Sequence, residues 1–182
     1  QSLNSMSKFV HLHCHSEFSI LECPFRVNAI IEHAKKYDMP AVALTDNASM
    51  YGAIDFYQAA KKAGINPIIG SDVYIAPTIQ QKERWQHRLI LLCTSFKGYQ
   101  NLIQLISIAH LDGFYYKPRL DCETLAKYSE DILAISPSGR GPIASHLQPH
   151  EEERALETAK QYQAIYGSRF YLGVQRSGAP FE

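Results

Sequence analysis

From Lys8 to His15 the chain alternates: Phe9, His11, His13 and His15 share one parity, and Val10, Leu12 and Cys14 share the other. Side chains switch faces at every residue of a strand, so this pattern predicts an extended segment that presents imidazoles on one side. Pro24 interrupts it. Val27, Ile30, Ile31 and Ala34 follow at helical spacing, Met39-Pro40 closes that helix, and Ala41 to Leu44 is a compact apolar strand. A second cycle runs through a helix from Ala53 to Ala63, a terminating Gly64 and a β-type run from Pro67 to Ala76. A third has a buried strand over His87 to Cys93 and a helix over Tyr99 to Leu111 with apolar residues at Leu102, Ile103, Leu105, Ile106 and Ala109. It continues with a short helix over Glu123 to Tyr128 and a strand over Ile132 to Ile135. The last is a polar-faced helix from His150 to Tyr166, then Gly167 and a strand over Arg169 to Val174. Strands alternating with helices predict the α/β class with a largely parallel sheet, either open or closed into a barrel.

The stretches from Thr78 to Gln86 and from Ser136 to Gln148 carry the least pattern, and no repeat, low-complexity segment or linker stands out. At 182 residues and 46% hydrophobic composition the chain is sized for one domain, or most of one. Gln1 to Ser5 read as a cloning scar ahead of a natural start at Met6. The close at Gly178-Ala179-Pro180, just after a strand and without a covering helix, reads as a truncation.

Charge narrows the function classes. Eighteen Lys and Arg balance eighteen Asp and Glu, without a block of like charge, which argues against an autonomous electrostatic nucleic-acid binder. Apolar runs such as Leu89 to Cys93 fall far short of the roughly 20 residues needed to span a bilayer, so no membrane association is expected. The four cysteines, Cys14, Cys23, Cys93 and Cys122, are scattered without a CxxC pair, as expected for a reducing cytoplasm.

Candidate chemistry begins with His11, His13 and His15. Alternate positions on a strand bring imidazoles within reach of one ion, and neutral imidazole suits zinc and similar divalent metals. Three same-face histidines are equally compatible with ordinary hydrogen-bonded polar residues. Asp46 follows the second strand, Asp72 lies in the third and His87 opens the fourth, at or near strand ends where parallel α/β folds assemble sites. An Asp in that place also serves as a helix cap or turn former. His33, His110, His146 and His150 read as structural. Ser138-Gly139-Arg140-Gly141 lacks the P-loop lysine and reads as a plain turn, and Glu151-Glu152-Glu153 as a solvated helix start.

Several ordered blocks resemble one family. They are His11-Leu12-His13-Cys14-His15-Ser16-Glu17-Phe18-Ser19, Ala43-Leu44-Thr45-Asp46-Asn47, the run Phe56 to Ile65, Pro67-Ile68-Ile69-Gly70, the run Gly98 to Leu102 and Arg169-Phe170-Tyr171-Leu172. Together they resemble the amino-terminal PHP (polymerase and histidinol phosphatase) domain of bacterial replicative DNA polymerase III alpha subunits, over nearly all of Lys8 to Glu182. The resemblance implies a PHP-type distorted (β/α)7, TIM-like barrel, incomplete here. In active members its cleft holds up to three divalent metals for phosphoester hydrolysis, which in this group is either a 3′-5′ exonuclease or lost.

Position by position, the family's H-x-H pair falls on His13 and His15. Its T-D-H motif falls on Thr45-Asp46-Asn47, with Asn in place of the ligating His. The bridging acid falls on Asp72, the next histidine on His87, a cysteine on Ser138 and an early acid on Glu22, while the terminal D-x-H pair would lie beyond Glu182. An amide oxygen is a poorer ligand than imidazole. The resemblance therefore implies a degenerate site that holds one zinc or manganese ion through His13, His15 and Asp72, in partial occupancy or not at all. The expected role is in DNA replication as a scaffold joined to the remaining polymerase domains, to a proofreading exonuclease subunit and, through the parent polymerase, to DNA. The alternative is an active metal-dependent phosphoesterase.

Overall fold

Strand β2 (Asn66–Ile75) organises the sheet of the computed structural model, which describes residues 9–82, 84, 86–147 and 151–174. Its first half pairs in parallel with β1 (Ala41–Leu44), from Ala41 opposite Asn66 to Leu44 opposite Ile69. Its second half pairs antiparallel with β3 (His87–Cys93), Asp72 facing Ile90 and Ile75 facing His87. Its end pairs in parallel with β5 (Lys117–Leu120), which forms a tight hairpin with β4 (Phe114–Tyr115). β3 then pairs antiparallel with β6 (Ile132–Ser136), and β6 in parallel with β7 (Phe170–Leu172). The order is β4-β5-β2-β3-β6-β7, with β1 added on β2.

The sheet is therefore mixed rather than largely parallel. A parallel crossover needs a dozen or more residues, usually a helix. The link from Ala76 to Gln86 has no helix among its described residues and returns the chain beside β2 in the opposite direction.

Helices pack on two regions of this frame. α3 (Phe96–Leu111) and α6 (Glu152–Tyr166) bury Leu102, Leu105, Ala109, Tyr162 and Tyr166 against Val73, Ile75, Leu89 and Leu91, with Leu125 of the short α4 (Cys122–Lys127) at the edge. α1 (Val27–Lys36) and α2 (Ala53–Lys62) enclose Ile31, Ala34, Phe56 and Ala60 with Val42 and Leu44 of β1. The other face of β3 carries Ile90 and Leu92 toward Ala43, Ile68, Leu133 and Ile135. β3 is thus apolar on both sides, and only His87 and Arg88 at its start are polar.

Three local departures from the sequence pattern have identifiable causes. Residues 9–15 run beside β1 without forming a regular strand. The Ala43 amide donates to His11 O and the Thr45 amide to Cys14 O, so three steps on one side answer two on the other, as in a β-bulge. The β4-β5 hairpin was not visible in the pattern because Lys117, Pro118 and Arg119 carry no strand signature. The four-residue α5 (Ala144–Leu147) lies inside one of the unpatterned stretches. The expected start of the last helix at His150 lies outside the described residues, as do the leader and the chain end; the helix runs from Glu152.

α3 is fixed at its start by two interactions. Ser95 Oγ accepts from the Gly98 amide at 3.2 Å and donates to Asp131 Oδ2 at 2.6 Å. A Cβ on Gly98 would stand 2.0 Å from the Asp131 carbonyl oxygen, so the helix approaches that loop as closely as only glycine permits. Gly98→Ala is expected to lower stability by about 1–3 kcal/mol, as overpacking does. Urea titration checks this as a reduced midpoint with an unchanged slope.

Candidate metal centre

Asp72 lies on β2 facing away from the α3-α6 core, at 2% exposure, and three side chains converge on its carboxylate. His13 Nε2 is 2.9 Å from Oδ2, and His15 Nε2 is 3.5 Å from the same oxygen. Arg88 grips both oxygens, with Nε 2.9 Å from Oδ1 and Nη2 2.7 Å from Oδ2. That is the bidentate fork by which a guanidinium best holds a carboxylate. The same Nη2 donates to Asn47 Oδ1, and Asn47 Nδ2 donates to Glu22 Oε2 at 2.6 Å. Arg88 also lies over the Tyr74 ring, 4.4 Å from its centroid.

Burial pushes the Asp72 carboxyl up. The two imidazoles drawn up to it and the hydrogen bonds and charge of the Arg88 guanidinium outweigh it and hold the group well below the usual carboxylate range. Burial also works against the Arg88 charge, but Asp72 more than offsets it and keeps the guanidinium firmly protonated.

Several candidates from the sequence lie elsewhere. Asp46 is buried, and both its oxygens are taken by serines: Oδ1 accepts from the Ser16 amide at 2.6 Å and from Ser19 Oγ at 2.6 Å, and Oδ2 accepts from Ser16 Oγ at 2.7 Å. It shapes the 16–19 turn and faces no other metal-ligating group there. His87 stands opposite Ile75, one residue out of phase with the pair Asp72 and Ile90, so it projects to the other face of the sheet. Its ring centroid is 6.5 Å from that of His146, and burial first and His146 second push its pKa down. Glu22 hydrogen-bonds Asn47 and lines a cavity with His13 and His15, and Ser138 borders an adjoining cavity with His13, Leu133 and Ile135. His11 borders both cavities but is not among the side chains gathered on Asp72.

The residue missing from the sequence-level set is Arg88. Of the two polar residues that open β3, one must face each side, and only the register with β2 decides which. His110 also proves structural, its Nε2 lying 2.8 Å from Ala48 O and tying down the loop that carries Asn47.

Among the described residues, the His, Cys, Asp and Glu groups whose donor atoms gather within 4.8 Å are His13, His15 and Asp72. In kind these donors suit one divalent cation. His15 Nε2 is buried without a good hydrogen bond, as expected of a nitrogen free to ligate. Against this, Arg88 already holds both carboxylate oxygens, so a cation on Oδ2 has to share that oxygen with a guanidinium and bear its repulsion. The set does not fit a multi-metal hydrolytic centre, which clamps attacking and leaving oxygens between ions.

A family model described as the PHP domain matches residues 11–177. The chain belongs to the PHP domain family. Among curated proteins, this PHP domain is 41% identical over 178 residues to the DNA polymerase III subunit alpha of Borreliella burgdorferi, covering 94% of this chain and 16% of that protein. It is 35% identical to the corresponding subunit of Aquifex aeolicus, covering 96% of this chain and 16% of that one. The PHP chain therefore spans about a sixth of the length of these relatives and is homologous to their N-terminal region. Among solved structures it is similar to a protein assigned as a metal-dependent phosphoesterase from Bifidobacterium adolescentis, with TM-score 0.51 and 13% identity, over 94% of this chain and 89% of that one. An amidohydrolase from Chromobacterium violaceum matches with TM-score 0.51 and 12% identity, over 94% and 88% of the two chains. These two likenesses bear on the fold alone and agree with a PHP-type, partial TIM-like α/β architecture. Among the described residues no helix is long and apolar enough to cross a membrane.

Proposed function

We propose that this chain, from Met6 onward, is the N-terminal PHP region of a bacterial DNA polymerase III alpha subunit, and that its cleft is a structural ion-pair centre rather than a hydrolytic one. The observation that carries this reading is the bidentate hold of Arg88 on Asp72. The guanidinium supplies the positive charge that a metal would otherwise bring to that carboxylate. It cannot polarise a water into a nucleophile, because it is a pure donor with its protons permanently attached. Asn47 supports the same reading, since its amide oxygen faces Arg88 instead of an ion. The network then serves to join the N-terminal segment, the 46–49 loop and β3.

On this reading the polymerase chemistry and the contacts with DNA lie in further parts of the subunit, which works in the cytoplasm. The domain's partners are those further parts and, docked beside them, a proofreading exonuclease subunit. The competing reading is a phosphoesterase with one zinc or manganese ion on His13, His15 and Asp72, supported by the gathered donors and the orphaned His15 nitrogen.

Elemental analysis and hydrolysis of bis(p-nitrophenyl) phosphate, run on the purified chain and on Arg88→His, separate the two. The expected outcome is no stoichiometric metal and no hydrolysis in the parent chain, with zinc or manganese uptake appearing in Arg88→His. A full equivalent of bound metal in the parent chain, with hydrolysis that His13→Ala abolishes, would overturn the structural reading.

A further inference from the structure

We propose that Cys14 and Cys23 are a redox-active pair, which a hydroperoxide closes reversibly into a disulfide on the wall of the candidate centre. Cys14 belongs to the segment beside β1, and its backbone is fixed there. Its amide donates to Thr45 Oγ1 at 3.0 Å, and its carbonyl accepts from the Thr45 amide at 2.7 Å. Its side chain packs against the apolar cluster of α1, α2 and β1. Cys23 stands on the loop that follows, which turns back on the same segment: the Glu17 amide donates to Phe25 O at 2.8 Å, and Cys23 Sγ donates to His15 O at 3.1 Å. The Cys23 sulfur is thereby set against the backbone of the residue next to Cys14.

Both thiols are half-buried and line one cavity of about 570 Å³, together with His11, Phe25, Ile30 and Val42. Burial, and after it the neighbouring Cys23 thiol, push the Cys14 pKa up to about 11, so the two sulfurs sense one another across that space. A disulfide needs its two Cα atoms close together, and one of the two walls has to give. Here that wall is the loop, because Ile20, Leu21 and Phe25 are exposed and little packed surface resists a shift of Cys23. Cys93 and Cys122 pack against the α3-α6 core instead, and Cys122 shares a hydrogen bond with the Tyr162 hydroxyl.

In the reaction one sulfur attacks a peroxide oxygen, the O–O bond breaks, and a sulfenic acid forms with release of water. The second sulfur then attacks the first, the S–O bond breaks, and the hydroxyl leaves as a second water with the remaining thiol proton. The pair loses two electrons and two hydrogens, and the peroxide is reduced to two waters. A dithiol reverses the change, as expected of a sensing rather than a structural disulfide in a reducing compartment. Closure removes the hydrogen that Cys23 donates to His15 O, and it pulls on Glu22, the residue that holds Asn47 beside Arg88. Oxidation therefore acts on the centre from two sides. This inference goes beyond the reading above and stands whether or not a metal binds.

The test uses the purified chain, reduced with dithiothreitol, desalted into a chelator that removes metal-catalysed oxidation, and treated with hydrogen peroxide. Surviving thiols are capped with N-ethylmaleimide. The expected result is the loss of two of the four thiols, a Cys14–Cys23 link in the unreduced peptide map, and full recovery with dithiothreitol. Exchange at the Asn47 amide is expected to quicken in the oxidised chain. Cys23→Ser, with circular dichroism melting to show that it folds, is expected to leave Cys14 open to the cap at the same dose. The peptide map of the parent chain decides the question even where that variant does not fold. Four capped thiols after treatment, a link that runs to Cys93 or Cys122, or a link between two chains overturns the proposal. A Cys14–Cys23 link with unchanged exchange at Asn47 overturns its effect on the centre.

Discussion

Arg88→Ala is expected to destabilise the domain by about 3 kcal/mol at neutral pH, the loss that follows when one partner of a buried ion pair is removed. Asp72 is then left at 2% exposure with an uncompensated charge, answered only by His13 and His15. The second substitution Asp72→Asn in that background removes the orphaned charge, so part of the stability is expected to return. Urea titration of the four proteins gives the coupling between the two positions. An Arg88→Ala loss below about 0.5 kcal/mol, the range of ordinary surface changes, would show that the guanidinium carries no structural weight.

The same pair sets an acid dependence. Because Asp72 is held below its unfolded value, its contribution is fully present above the unfolded pKa of about 3.9 and is lost as pH falls toward the folded value. The parent chain is therefore expected to lose stability steeply below about pH 4, and Asp72→Asn to show a shallower loss over that window.

Asp46→Ala is the second large expected effect, at about 3 kcal/mol. The substitution strips the acceptor from the Ser16 amide, Ser16 Oγ and Ser19 Oγ, in a place where Ser16 is fully buried and Ser19 is 2% exposed. Buried donors left without partners cost about 1–3 kcal/mol each, partly relieved as hydroxyls turn to other acceptors. Asp46→Asn keeps one acceptor oxygen and is expected to lose about half as much. Hydrogen exchange at the Ser16 amide locates the effect: protection should collapse in the alanine variant. Retained protection there would mean that the turn is held by something other than the carboxylate.

Legibility in the sequence followed the strength of the local signal. β1 and β3 match the expected ranges Ala41 to Leu44 and His87 to Cys93 because short apolar runs bounded by polar residues leave little choice. Direction was harder to read. Nothing in His87 to Cys93 announces an antiparallel neighbour, and the unpatterned link before it was the only sign that no helical crossover intervenes. β5 was hidden by Arg119, whose charge reads as surface. In the fold it is 2% exposed and spends its guanidinium on the carbonyls of Gly113, Ile79 and Gln81.

The candidate centre was half legible. The parity of His13 and His15 survives the bulge near His11, so those two rings meet Asp72 as the alternation suggests. Arg88 was not readable, because a strand that is apolar on both sides gives no indication of which flanking polar residue faces which way. Asp46 looked like both a ligand and a turn former, and three serine-donor hydrogen bonds that no spacing rule anticipates decide its local role.

The phase of β3 has an evolutionary consequence. Leu89 and Leu91 are fully buried in the helical core, so a slip of one residue that would turn His87 inward would also expel both leucines. Sliding the strand is therefore closed as a route to an imidazole in the cleft, and replacement of residue 88 itself is open. In the standard genetic code, histidine is one nucleotide from two of the arginine codons. A lineage that encodes Arg88 with either of those codons stands a single transition away from exchanging a fixed cation for a metal-ligating ring, without disturbing the packing of the strand that carries it.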